Sequence, residues 1–93
     1  MPMKQITLND VRAALYEMNV LTVRNFPEET LKNADFWVDL GMDEQKVIAL
    51  MSNLEIEKHV MLPVNVVDSI RMKNSVSTLL CSANNRLIDL DEH

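Results

Sequence analysis

Apolar residues recur at three- and four-residue intervals in separate stretches of the chain, and each stretch opens on a residue suited to starting a helix. Leu8, Val11, Ala14, Leu15 and Met18 share one stripe, with Asp10, Arg12 and Glu17 off its centre. Thr7 precedes them with a hydroxyl able to accept from a free backbone N–H, and Asp10 favours the positive end of the helix dipole. A first helix ending near Asn19 follows. Val47, Leu50, Met51 and Leu54 form a second stripe, which Ile48 widens, behind Asp43 as N-cap and Glu44 in the first turn. Gln45, Ala49, Ser52 and Ile56 project outward from that second helix. Pro63 then opens a short third segment carrying Val66, Val67 and Ile70. Asn74 and Ser75 open a last helix with Val76, Leu79, Leu80 and Ala83 inward, ended by Asn84 and Asn85.

Between these helices the pattern weakens. From Val20 to Asp43 no period is sustained, which predicts a long, partly ordered connection. Pro27 disfavours helix at Phe26 but suits the first turn of a short one. Glycine occurs once, at Gly41, and the hairpin dipeptides Asn-Gly and Asp-Gly are absent. The expected fold is all-α: a four-helix bundle over about residues 5–83 of a single domain 1–93, with a long loop between the first two helices and a short third helix. Residues 84–93 form an acidic tail, docked or loose. Lys58 interrupts the inner stripe, so the end of the second helix is expected to be frayed or repacked. Met42, Met51, Met61 and Met72, among seven methionines, read as ordinary packing residues.

Composition narrows the functions. Ninety-three residues, 47% apolar and 25% charged, carry neither the charge excess of disorder nor an apolar run able to cross a membrane. The formal charge is −5, softened to −3 over residues 1–85 because Asp89, Asp91 and Glu92 lie in the tail with Arg86. No basic cluster is present to neutralise phosphates, which argues against nucleic-acid binding. Met1-Pro2-Met3-Lys4 lacks the apolar stretch of a secretory signal, and a reducing cytoplasm is the expected location.

Catalytic chemistry finds little support. Cys81 is the lone cysteine, off the inward stripe of the last helix, with no base supplied by its neighbours; a half-exposed structural thiol is expected. His59, near the end of a charged helix, is expected to be solvated, with only His93 able to join it as a ligand. Without a nucleophile, base and orienting group placed together, no enzyme is expected. Phe36 reads as an anchor of the loop onto the bundle, and Trp37 as a surface candidate for a partner.

The order of long helix, long loop, central helix after Asp39-Leu40-Gly41-Met42-Asp43, short helix after Leu62-Pro63 and closing helix resembles the acyl carrier protein family over about residues 5–83. The likeness is most specific from Ala34 to Asp43 and on through Val47-Ile48, Leu50-Met51 and Leu54 to the spacing of Val67 and Ile70. In that family the residue after the aspartate is a serine. Its hydroxyl takes phosphopantetheine from coenzyme A, with a transferase and magnesium, and then holds the arm. Here the position is Glu44. A carboxylate is a poor attachment point, because its acyl phosphate hydrolyses far more readily than an alkyl phosphodiester and its charge repels an incoming diphosphate.

Further departures concern docking. The family usually has leucine where Gln45 stands and acids where Lys46, Ala49 and Ile56 stand, although Glu55 and Glu57 are kept. Losing most of an acidic strip should impair association with basic partner faces. Lys58 stands where the family often buries an aromatic. The resemblance therefore implies a carrier-like domain with no cofactor, binding a protein partner in lipid or polyketide-type biosynthesis. Its candidate contacts are Trp37, Asp43, Glu44, Gln45, Ala49, Ser52, Glu55 and Ile56. The alternative is a genuine divergent carrier holding phosphopantetheine on an unexpected hydroxyl, although Ser52 and Thr30 both lie away from the start of the helix.

Overall fold

A computed structural model describes residues 4–91. Five α-helices pack with a 3₁₀ turn and a two-stranded ribbon: α1 (Leu8–Glu17), the 3₁₀ turn (Leu21–Asn25), α2 (Glu28–Lys32), α3 (Glu44–Lys58), β1 (Val60–Met61), α4 (Val66–Met72), α5 (Val76–Asn85) and β2 (Ile88–Asp89). α1 lies against α3, α4 against α5, and α2 touches both α1 and α5.

α1 begins as its sequence predicts. The Thr7 hydroxyl accepts from the Asp10 N–H at 3.1 Å, and the Asp10 carboxylate accepts from the Thr7 N–H at 2.8 Å, so two free donors are satisfied reciprocally. Val11, Ala14 and Leu15 are buried. Asn19, in the left-handed region at φ 65°, turns the chain away, an excursion that asparagine tolerates better than most residues.

The connection from Val20 to Asp43 is more ordered than expected. Pro27 does precede a short helix, but its five residues and the five of the 3₁₀ turn are too few to show a period. Val20, Val23, Leu31, Ala34, Phe36, Leu40 and Met42 are all buried in the core. The loop is laced to α5: the Phe36 N–H donates to the Asn74 carbonyl at 2.8 Å and the Val76 N–H to the Ala34 carbonyl at 3.0 Å. Asp35 organises the turn, its carboxylate accepting from the N–H groups of Trp37 and Val38. Gly41 sits at φ +63° with open space where a Cβ would be, so its need is conformational rather than steric.

One expectation at α3 is corrected and two are refined. Ile48 does not widen the buried stripe; it is 44% exposed, outside the arc covered by Val47, Leu50, Met51 and Leu54. Of the two outcomes expected at Lys58, fraying is absent and repacking is present: α3 runs through Lys58, whose ammonium reaches Asp10 of α1 at 3.2 Å. The fold is mostly helical and compatible with the expected bundle, with a small two-stranded ribbon added. His59 ends α3 in the left-handed region (φ 54°), sending Val60 and Met61 back antiparallel to the tail, with Val60 opposite Asp89 and Met61 opposite Ile88. Two-residue strands carry no readable alternation.

The tail is therefore docked through Asp91, while Glu92 and His93 lie outside the described residues. Asn84 fastens the other terminus, accepting from the Ile6 N–H at 2.7 Å and donating to the Ile6 carbonyl at 2.9 Å. Of the methionines, Met42 and Met51 are core residues as expected, whereas Met61 and Met72 are exposed.

Candidate functional site

The start of α3 is built from residues close in sequence. The Met42 N–H donates to the Phe36 carbonyl at 2.8 Å, which sets the chain direction into Asp43. The Asp43 carboxylate then accepts from the Lys46 N–H at 2.9 Å, the cap that its position predicts. Asp43 is consequently occupied by its own helix.

Glu44 points across to α4. Its carboxylate receives the Nε–H of Arg71 at 2.5 Å, and Arg71 also reaches Asp68, one turn earlier on α4, at 3.3 Å. The hydrogen bond from Arg71 to Glu44, reinforced by the charges of Glu44 and Asp68, holds the guanidinium more firmly protonated than usual. Exposed pairs of this kind contribute little to stability. Their effect here is geometric, in that the position after Asp43 carries an engaged carboxylate. Arg71 lies 27 residues from Glu44 in sequence, and only its opposite charge hinted at the pairing.

Along the outer face of α3, Gln45, Ala49, Ser52 and Ile56 are all exposed, Ile56 by 75%. They make an uncharged strip flanked by Lys46 and Glu57 on one side. Glu55 departs from the surface role expected for it, since its carboxylate accepts from the Leu62 N–H at 2.8 Å and holds the turn between α3 and α4. Trp37 is half-buried and packs against the core, leaving its neighbour Val38 as the more exposed residue at 83%. A hollow of about 250 Å³ lies between the end of α1 and Leu40–Met42, with Lys46 at its rim.

The other reactive side chains are spread apart. Cys81 is exposed on a groove between α4 and α5, beside Ser69, Thr78 and Ser82; Ser82 donates to Ser69 at 3.1 Å, and no acid or base lines the groove. His59 contacts Asp91, which also binds Lys4. Lys4 donates to Asp91 at 2.6 Å, to the Lys58 carbonyl at 3.0 Å and lies 3.0 Å from Asp89. The hydrogen bonds to Asp91 and Asp89 raise the Lys4 pKa, and the same contacts lower those of both aspartates. Among the described residues no three His, Cys, Asp or Glu side chains gather as metal ligands, and no helix is long and apolar enough to cross a membrane. No protein-family model, curated protein or solved structure matches this chain.

Proposed function

We propose that the chain is an acyl-carrier-like domain that holds no phosphopantetheine arm and binds another protein through the start and outer face of α3. Its setting is the cytoplasm, beside a lipid or polyketide-type biosynthetic pathway. The observation that carries this reading is the Glu44–Arg71 pair. Arm attachment requires an alcohol oxygen at the head of the helix, and the side chain there is a carboxylate turned toward α4. The uncharged strip of Gln45, Ala49 and Ser52 supports a docking role, because it removes the desolvation penalty that charged side chains impose on a partner.

Incubation with coenzyme A, magnesium and a broad-specificity phosphopantetheinyl transferase, followed by intact-mass measurement, should leave the chain unmodified. A stoichiometric adduct would overturn the reading and establish the alternative, a genuine carrier, with peptide mapping to locate the hydroxyl. Ser52 lies two turns past Glu44, and the Thr30 hydroxyl donates to the Pro27 carbonyl at 2.8 Å, so neither presents a free oxygen at the head of α3. Affinity capture from the source lysate should recover a protein that is lost with Ala49→Arg or Trp37→Ala.

A further inference from the structure

Beyond Ala83 the described chain no longer enters the buried core. Leu79 and Ala83 of α5 are fully buried, whereas from Arg86 to Asp91 no side chain is: Leu87 is half-buried, Ile88 is 56% exposed and Leu90 45%. What fastens this stretch is mostly polar. Met61 pairs with Ile88 in the ribbon, the Leu90 N–H donates to the His59 carbonyl at 3.1 Å, and Asp89 and Asp91 lie 3.0 and 2.6 Å from the Lys4 ammonium. The exposed ring of His59 also contacts Asp91. Segments with few buried apolar contacts and exposed backbone hydrogen bonds open at lower free energy than the body they lie on.

Lys4, by contrast, is fastened to the body. Ile6, two residues on, is buried, and its backbone exchanges two hydrogen bonds with the Asn84 side chain, contacts in which the tail takes no part. The Lys4 ammonium also reaches the end of α3 and donates to the Lys58 carbonyl at 3.0 Å. One cation on a firm support thus faces two carboxylates on a loosely packed strand. Hydrogen bonds to that ammonium are the chief reason why both carboxylates sit below their usual range. The other charged groups at this end are engaged elsewhere, Lys58 with Asp10 and Glu55 with the Leu62 N–H.

We propose that residues 86–91 form a strap that opens as a unit while the helices stay packed, with Lys4 as the latch that sets how often it opens. Opening takes the partners of His59 and Met61 away and leaves β1 as an unpaired strand edge. Salt screens exposed ion pairs but not buried apolar packing, so ionic strength shifts the strap and spares the body. The strap is therefore a salt-responsive cover over β1.

Native-state amide exchange of the full chain, taken relative to intrinsic rates, tests this. The Leu90 amide should be less protected than the Leu79 amide of α5 and should depend little on added urea, the mark of a local opening. Lys4→Met keeps the side-chain length and removes the ammonium; it should lower Leu90 protection about three- to tenfold and leave Leu79 unchanged. Lys4→Arg should recover most of the loss. Because Lys4 also binds the end of α3, the carboxylates supply the control. Asp89→Asn together with Asp91→Asn leaves the bond to the Lys58 carbonyl in place, should match the loss in Lys4→Met, and should add little when combined with it. Raising salt from about 0.05 M to about 1 M should reproduce the loss in the unaltered chain and have a much smaller effect in Lys4→Met. Equal protection at Leu90 and Leu79, a loss shared by both amides in Lys4→Met, or a strap indifferent to salt or to the variants would each overturn the proposal.

Discussion

The two ends of α3 are secured by different means. At its start, the cap, the glycine conformation and the Phe36–Met42 hydrogen bond involve residues within a few positions of one another, and only the exposed Glu44–Arg71 pair comes from farther away. At its end the local bonds of Glu55 to His59 and Leu62 are joined by distant ones: Lys58 reaches Asp10, and Lys4, paired with Asp91, donates to the Lys58 carbonyl. A helix start solves the problem of its unpaired N–H groups locally. This helix end also draws on Lys4 and Asp91, residues from opposite ends of the described chain.

Removing the common support breaks the comparison most severely. Leu50 is fully buried midway along α3, and Leu50→Ala should cost about 2 to 5 kcal/mol by urea unfolding. Protection of the Lys46 and Leu62 amides should fall together. Asp43→Ala sharpens the contrast instead, with an expected loss of roughly 0.5 to 2 kcal/mol and faster exchange at the Lys46 amide. The Leu62 amide, held by Glu55, should be spared, and Asp43→Asn should recover most of the loss.

The same contrast decides what can be read from the chain alone. The caps at Thr7, Asp43 and Ser75 and the buried stripes of α1, α3 and α5 are visible because each is a contact between residues three or four apart. The ribbon, the burial of seven residues in the connection and the pairing of Lys58 with Asp10 are set by contacts across the molecule, where no period survives. At the candidate site the helix start and uncharged strip were legible. The structural duty of Glu55, the half-burial of Trp37 and the partner of Glu44 were not, since none is a contact at the three- or four-residue spacing that a sequence pattern displays.

Titration probes the far end of α3 selectively. Burial pushes the Asp10 pKa up, but hydrogen bonds from Thr7 and Lys58 outweigh it and leave the carboxyl below its usual value. A group depressed by folding contributes stability that is complete above its unfolded pKa and is lost as pH falls through its folded one. Lys4, raised by Asp91 and Asp89, contributes below its unfolded pKa and loses that contribution as pH rises through its folded one. The end of α3 should therefore be best held between about pH 4 and pH 10. Protection of the Leu90 amide, whose N–H donates to the His59 carbonyl at 3.1 Å, should fall on both sides of that window when it is taken relative to the intrinsic exchange rate. Asp89 and Asp91, also held below their usual range, titrate on the same side, so Asp10→Asn should reduce the acid-side loss without abolishing it, and a profile unchanged by that variant would show that Asp10 has no part in it.

The smallest expected effect lies at the start of α3. Arg71→Ala removes an exposed partner of Glu44 and should leave the unfolding midpoint within error, because the cap and the buried stripe carry the helix without it. Under the proposed carrier-like reading Glu44→Ser supplies an alcohol at the head of α3, yet Gln45 and Lys46 still follow it where that reading would want an apolar residue and an acid for transferase docking. Intact-mass measurement after incubation with coenzyme A and transferase should show only trace loading of that single variant. On the same reading, adding Lys46→Glu should raise loading above the single change, since it places negative charge on the proposed docking flank without touching the buried face. Efficient loading of Glu44→Ser alone would mean that one hydroxyl, and not the charge of the surrounding surface, separates this chain from a carrier.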